Sequence, residues 1–164
     1  FAPVRSAHFH VAAAVRQQIY CLINEEHPLA KKEIIRLRDC VGHPTILPNA
    51  LSGIRQLLDT ALIKRNLELN MILESDSFEF MQNYLLHDEA LSFQIPIGFA
   101  RSVDRAVDSG TPGIVARPVD TADVPSGVIH IGYLKGRVLP VAAAKFLNDI
   151  IHQLQRRFPD ETGA

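Results

Sequence analysis

The sequence predicts an α/β fold in which strands alternate with amphipathic helices. Three observations carry that prediction. Short β-branched runs recur between turn residues, one-sided apolar stripes at helical spacing separate them, and no stretch is repeated or of low complexity. With 164 residues and 47% hydrophobic content, the chain can bury the core of one domain or of two small lobes.

The elements follow in order. Val15 to Ile23 is rich in β-branched and aromatic residues and is closed by Asn24-Glu25-Glu26-His27-Pro28, which gives a strand and its turn. Residues 29 to 41 make a short helical turn ending near Gly42, and Pro44-Thr45-Ile46-Leu47 is a second strand stopped by Pro48-Asn49. Ile54, Leu57, Leu58, Ala61 and Leu62 form the stripe of a helix that Ser52 caps.

Glu68 to Glu74 is a strand, and Asp76-Ser77-Phe78-Glu79 is a capping box opening a helix through Leu86. Leu91 to Ile97, Gly113 to Val119 and Val128 to Leu134 are further strands, with polar loops at residues 104–113 and 120–127. The last helix has Pro140 in its first turn and a stripe of Ala144, Leu147, Ile151, Leu154 and Phe158. Strands joined by helices imply largely parallel pairing.

Charge and motif content narrow the function. Seventeen basic residues against 18 acidic ones give a net charge of -1, so no field draws this chain to nucleic acid or an anionic membrane. Only Cys21 and Cys40 are present, too far apart in sequence for a zinc ribbon, and they read as reduced buried thiols. Neither a membrane span nor a signal peptide is visible, which points to the cytoplasm.

The seven histidines are scattered. His8 and His10 share one strand face, but no acidic or cysteine ligand stands near them, so no metal site is expected. Ala50-Leu51-Ser52-Gly53-Ile54 lacks the paired glycines of a nucleophile elbow. Gly110-Thr111-Pro112-Gly113 has no following lysine and reads as a turn. With no catalytic residues and no cofactor motif, the chain is expected not to be an enzyme.

One segment does suit ligand binding. Pro48 to Arg55 is a strand end, a loop and a helix start, the place in an open α/β sheet where ligands collect. Ser52 and the amides of Gly53 and Ile54 can receive a carboxylate, and Ser52 can also serve only as a cap.

The stretch His27-Pro28-Leu29-Ala30, then Leu37-Arg38-Asp39, Pro44-Thr45-Ile46-Leu47 and Ser52-Gly53-Ile54-Arg55-Gln56-Leu57-Leu58-Asp59 resembles the middle of the effector domain of LysR-type transcriptional regulators. The resemblance continues through Leu73-Glu74-Ser75 and Gln94-Ile95-Pro96. It ends at Gly136-Arg137-Val138-Leu139-Pro140 with Ala142-Ala143-Ala144 and Phe146.

It implies a fold like type 2 periplasmic binding proteins, with two lobes of mixed sheet flanked by helices and the first lobe incomplete. Residues 16–126 would form the second lobe; residues 1–15 and 127–164 would be what remains of the first. The opening segment Phe1-Ala2-Pro3-Val4 reads as a strand end entering a loop, as in a piece of a longer chain lacking the family's winged helix-turn-helix.

The same resemblance implies an effector site at Pro48, Asn49, Leu51 and Ser52, at Gln94, Pro96 and Ile97, and at Ala2, Pro3 and Val4. The implied partners are a small organic or inorganic anion held between the lobes and further copies of the chain, as homodimer or homotetramer. DNA would be met only through the missing helix-turn-helix. A departure from the family pattern is Asp88-Glu89-Ala90-Leu91, where glycines usually stand, so the helix-to-strand turn should differ there. A solute-binding protein of a transporter would share fold and cleft, and an α/β enzyme such as a dehydratase would share the fold alone.

Overall fold

The computed structural model describes residues 8–95, 112–158 and 162–163. In chain order the strands and helices are β1 (Phe9–Gln17), β2 (Tyr20–Asn24), β3 (Pro44–Leu47), α1 (Gly53–Arg65), β4 (Asn70–Glu74), α2 (Phe78–His87), β5 (Leu91–Gln94), β6 (Ile114–Pro118), β7 (Gly127–Leu134), α3 (Val141–Arg157) and β8 (Thr162–Gly163). The chain divides into two compact units, Phe1–Gln17 with Val128–Ala164, and Gln18–Gly127.

The second unit is built on a five-stranded sheet in the order β4-β3-β5-β2-β6. Its pairing is mixed rather than largely parallel: β3 runs parallel to β4 and β5, whereas β2 is antiparallel to β5 and β6. Helices α1 and α2 return the chain so that β3, β4 and β5 point the same way. That logic does not reach β2, whose sheet neighbours are joined to it through long connections instead of single helices.

Both faces of the strands β2, β3 and β5 are buried, which is why they read as nearly continuous apolar runs, whereas the edge strand β4 is largely exposed. Leu22, Ile46 and Ala116 pack with Met81 and Leu85 of α2, and Tyr20, Phe78 and Tyr84 lie against that cluster. Cys21, Ile23, Thr45 and Leu47 alternate to the opposite face and are also buried. Buried Ile54, Leu58, Ala61 and Leu62 are the inward stripe of α1.

The expected strand from Val15 to Ile23 is two strands separated at Gln18 and Ile19. There the second unit begins, and the backbone turns to a different partner: Val119 N–H donates to the Ile19 carbonyl at 2.9 Å, and Gln18 Nε2 donates to the Val119 carbonyl at 2.8 Å. Residues 29–41 hold two short 3-10 turns, Pro28–Lys31 and Leu37–Cys40. The first is capped by buried His27, whose Nδ1 accepts the Leu29 N–H at 3.1 Å.

Cys21 and Cys40 are both buried and unoxidised. The neighbouring Cys40 thiol, with burial, pushes the Cys21 thiol well above its ordinary pKa, and Cys40 Sγ itself donates to the Arg36 carbonyl at 3.7 Å.

A buried carboxylate closes this unit. Asp123, 4% exposed, accepts from Arg36 Nε at 2.7 Å, Arg36 Nη2 at 2.8 Å, the Leu37 N–H at 3.0 Å and Arg65 Nε at 3.0 Å. Arg65 also reaches the Ala122 carbonyl. The last residue of α1 and the segment after β6 are thereby tied together, and the hydrogen bonds from Arg36 lead the causes that hold the Asp123 carboxyl far below the usual carboxylate range.

In the first unit, β1 lies between β7 and β8 in a three-stranded sheet. β1 and β8 are antiparallel, with Ala14 opposite Gly163. Pro140 is the N-cap of α3 and stands just before its first turn, and along that helix only Leu154 is buried. Val141 and Phe146 are exposed.

Candidate functional site

Parallel strands bring their carboxyl ends to one edge, and here that edge belongs to the second unit. Thr45 is opposite Leu91 and Ile46 opposite Ser92, so β3 and β5 end side by side, with Leu47 and Gln94 as their last residues. On the other flank Leu47 is opposite Glu74, the last residue of β4. The loops that follow β3 and β4 lead into the N-termini of α1 and α2, so orphan helix amides gather at this edge.

The two loops are clasped. The Asn49 N–H donates to Asp76 Oδ1 at 3.1 Å, and Asn49 Nδ2 donates to Asp76 Oδ2. Asn49 Oδ1 accepts the Leu51 N–H at 2.8 Å, and the Asn49 carbonyl accepts the Ser52 N–H at 3.0 Å. Asparagine is suited to this work because its short amide folds back on the backbone two residues on.

Arg55 fixes the same corner from below. Its guanidinium donates to the Pro48 carbonyl at 3.2 Å, to Asp59 at 2.9 Å and to Glu74 at 3.1 Å. Burial opposes its charge, but the bonds to Asp59 and Glu74 outweigh that effect, and its pKa is raised.

Of the residues expected at an effector site, Pro48, Asn49, Leu51 and Ser52 are brought together in the loop after β3, and Gln94 lies at the same sheet edge. Leu51 is 86% exposed. Ser52 occupies the N-cap position of α1, but its hydroxyl makes no cap hydrogen bond. Gln94 Nε2 is turned to Met81 Sδ at 3.9 Å. Ala2, Pro3, Val4, Pro96 and Ile97 lie outside the described residues.

Asp76 and Arg55 were not singled out as site residues by the sequence. Asp76 reads there as the first residue of a capping box, whereas the cap of α2 is Ser77, whose Oγ accepts the Phe80 N–H at 3.2 Å, and Asp76 is free to hold Asn49. The available signal was topological, since loops after adjacent parallel strands meet and an Asn in one needs a partner in the other. The turn from α2 to β5 is made without glycine, Asp88 leaving the helix in an extended conformation.

Among the described residues no three His, Cys, Asp or Glu side chains are placed to share a metal ion. None of the described helices is long and apolar enough to cross a membrane.

The family model described as LysR substrate binding domain matches residues 1–155. Comparison with curated proteins finds no match. Among solved structures, the effector-binding domain of QuiR in complex with shikimate superposes with a TM-score of 0.71 at 17% identity, over 94% of this chain and 69% of that one.

The regulatory domain of CcmR from Synechocystis in complex with 2-PG gives a TM-score of 0.72 at 16% identity, over 92% of this chain and 69% of that one. HinK, a LysR family transcriptional regulator from Pseudomonas aeruginosa, gives 0.69 at 19% identity, over 94% of this chain; the chain spans 50% of HinK. At such identities the likeness is one of fold.

Proposed function

Because the chain belongs to the LysR substrate binding domain family, we propose that it is the effector-sensing part of a LysR-type transcriptional regulator. It binds a small, anionic metabolite and catalyses nothing. The observation that carries this reading is the Ser52 hydroxyl, left without a cap bond at the start of α1 on the carboxyl edge of the sheet. Beside it are the first-turn amides of a helix with no acidic residue in that turn, a setting that favours an anion.

Related domains solved with shikimate and with 2-PG support a small organic ligand. In this reading Asn49 is a positioning residue, because its side chain is occupied by Asp76 and by the Leu51 amide, and Ser52 is the contact. The reading extends to residues 2–4, 96 and 97, which lie outside the described residues, as further effector contacts.

Differential affinity for two lobe arrangements then changes how the regulator sits on DNA in the cytoplasm. DNA is reached through a winged helix-turn-helix that is not among these residues. Self-association, as homodimer or homotetramer, belongs to the same reading. The edge strand β4 and the helix beside it expose Met71, Ile72 and Ile63, an apolar border suited to a second copy.

The test is a thermal-shift screen of the chain against small organic acids, with Ser52→Ala as control. A ligand at 100 times its Kd stabilises by about 2.7 kcal/mol. A shift that Ser52→Ala abolishes is the expected outcome. A shift that survives the substitution moves the site elsewhere, and a hit that is turned over contradicts the sensor reading.

A further inference from the structure

A cavity of about 290 Å³ lies along α1 from Leu57 to Arg65. One wall is the helix face carrying Leu57, Thr60, Ala61 and Lys64, and the other is the segment after β6, through Thr121 and Pro125. Positions 57, 60, 61 and 64 share one face because their spacing matches the helical repeat. The volume is near the lower bound of ligand pockets, about 300 Å³, so the cavity suits a body the size of one aromatic ring.

The walls are tied to each other by bonds that do not involve a ligand. Arg65 Nε donates to Asp123 Oδ1 at 3.0 Å, both residues lining the cavity, and Arg36 takes the rest of that carboxylate at 2.7 and 2.8 Å. Asp123 therefore presents no unmatched negative charge to the cavity. Lys64, by contrast, is exposed and has no ion-pair partner among the described residues. Leu57, Ala61 and Pro125 supply apolar surface, and Thr121 adds a hydroxyl donor to the lining.

We propose that this cavity is a second ligand site, for a small monoanion with an apolar body whose charged group meets Lys64. It shares no lining residue with the sheet-edge site at Pro48, Asn49, Leu51 and Ser52, although its nearest wall residue, Leu57, lies only about 6 Å along α1 from Gly53. An occupant wedges between α1 and the segment 119–127, through which the chain leaves the second unit, and so acts on the Arg65–Asp123 tie. The proposal does not depend on the identity of any effector at Ser52.

The experiment is a titration of phenylacetate into the 164-residue chain, followed by backbone amide NMR, with phenylacetamide as the neutral isostere. Lys64→Glu and Thr60→Phe are surface changes at the rim, and retained spectral dispersion shows that both variants fold. Resonances of Leu57, Ala61, Thr121 and Ala122 should shift at millimolar phenylacetate, and Lys64→Glu should weaken binding at least about tenfold, the scale of a lost charge-assisted bond.

Phenylacetamide should bind more weakly, Thr60→Phe should block the site, and Ser52→Ala should change nothing. Absence of shifts, shifts centred elsewhere, or equal binding of acid and amide overturns the proposal. Undiminished binding to Lys64→Glu does the same.

Discussion

Asp123 and Arg36 form a two-toothed pair, with Nε to Oδ2 at 2.7 Å and Nη2 to Oδ1 at 2.8 Å, although the residues are far apart in the chain. The carboxylate is buried and the guanidinium is part exposed. Removing the acid leaves Arg36 with only its longer contact to Asp120, at 3.4 Å, and takes from Arg65 its ion-pair partner. Asp123→Ala should therefore cost about 3 kcal/mol, the low end for breaking a buried pair, read as a lower urea midpoint at pH 7.

The same pair sets an acid limit. Asp123 has a depressed pKa in the folded chain, so its contribution to stability is complete above the unfolded value of about 3.9 and is lost as pH falls below it. Urea unfolding followed from pH 6 to pH 2 should show this loss in the wild type. Asp123→Asn should start less stable and lack that part of the slope; equal slopes would remove Asp123 from the account.

His27 gives a second pH dependence nearer neutrality. Its Nδ1 accepts the Leu29 amide, which only the neutral ring can do, and burial followed by the neighbouring His43 lowers its pKa. The unfolded chain then binds a proton that the folded chain refuses, so stability is complete above about pH 6.5 and declines as pH drops through the folded value. His27→Asn keeps an acceptor for the turn and should flatten stability between pH 7 and pH 5.

Two serines at helix starts should behave oppositely. Ser77 accepts the Phe80 N–H, so Ser77→Ala should cost about 1 kcal/mol. Ser52 makes no such bond, and Ser52→Ala should change stability by less than about 0.5 kcal/mol while weakening effector binding. A matching loss of stability in both variants would show that Ser52 caps α1 in solution.

The Asn49–Asp76 clasp is best measured as a coupling. Asn49→Ala and Asp76→Ala should each loosen the loop before α1, and the double variant should fall short of the sum by about 0.5–3 kcal/mol. Additive effects would mean that the loops are independent.

Much of this architecture is legible in the chain itself. The stripe of α1, the run Pro44–Leu47 and the turn chemistry at Pro48-Asn49 are local signals, and they place the loop that carries Ser52. What is not legible depends on partners distant in sequence. The break at Gln18 and Ile19 is invisible because β-branched residues continue on both sides, and the boundary is set by Val119. Asp76 is misassigned because a carboxylate before a helix fits a cap as well as it fits Asn49. The clamp on Asp123 joins Arg36, Arg65 and the last loop of the unit, and no window of local sequence contains all three.

The position of β2 in its sheet bears on how the chain is made. Tyr20 is synthesised well before its two sheet neighbours, Gln94 on one side and Pro118 on the other. Both edges of β2 stay unpaired until most of the second unit has been translated, and loop closure over such separations makes the pairing slow. The strand bearing Cys21, Leu22 and Ile23 thus spends its first moments as an apolar segment awaiting late arrivals, which is where chaperone protection during synthesis would matter most.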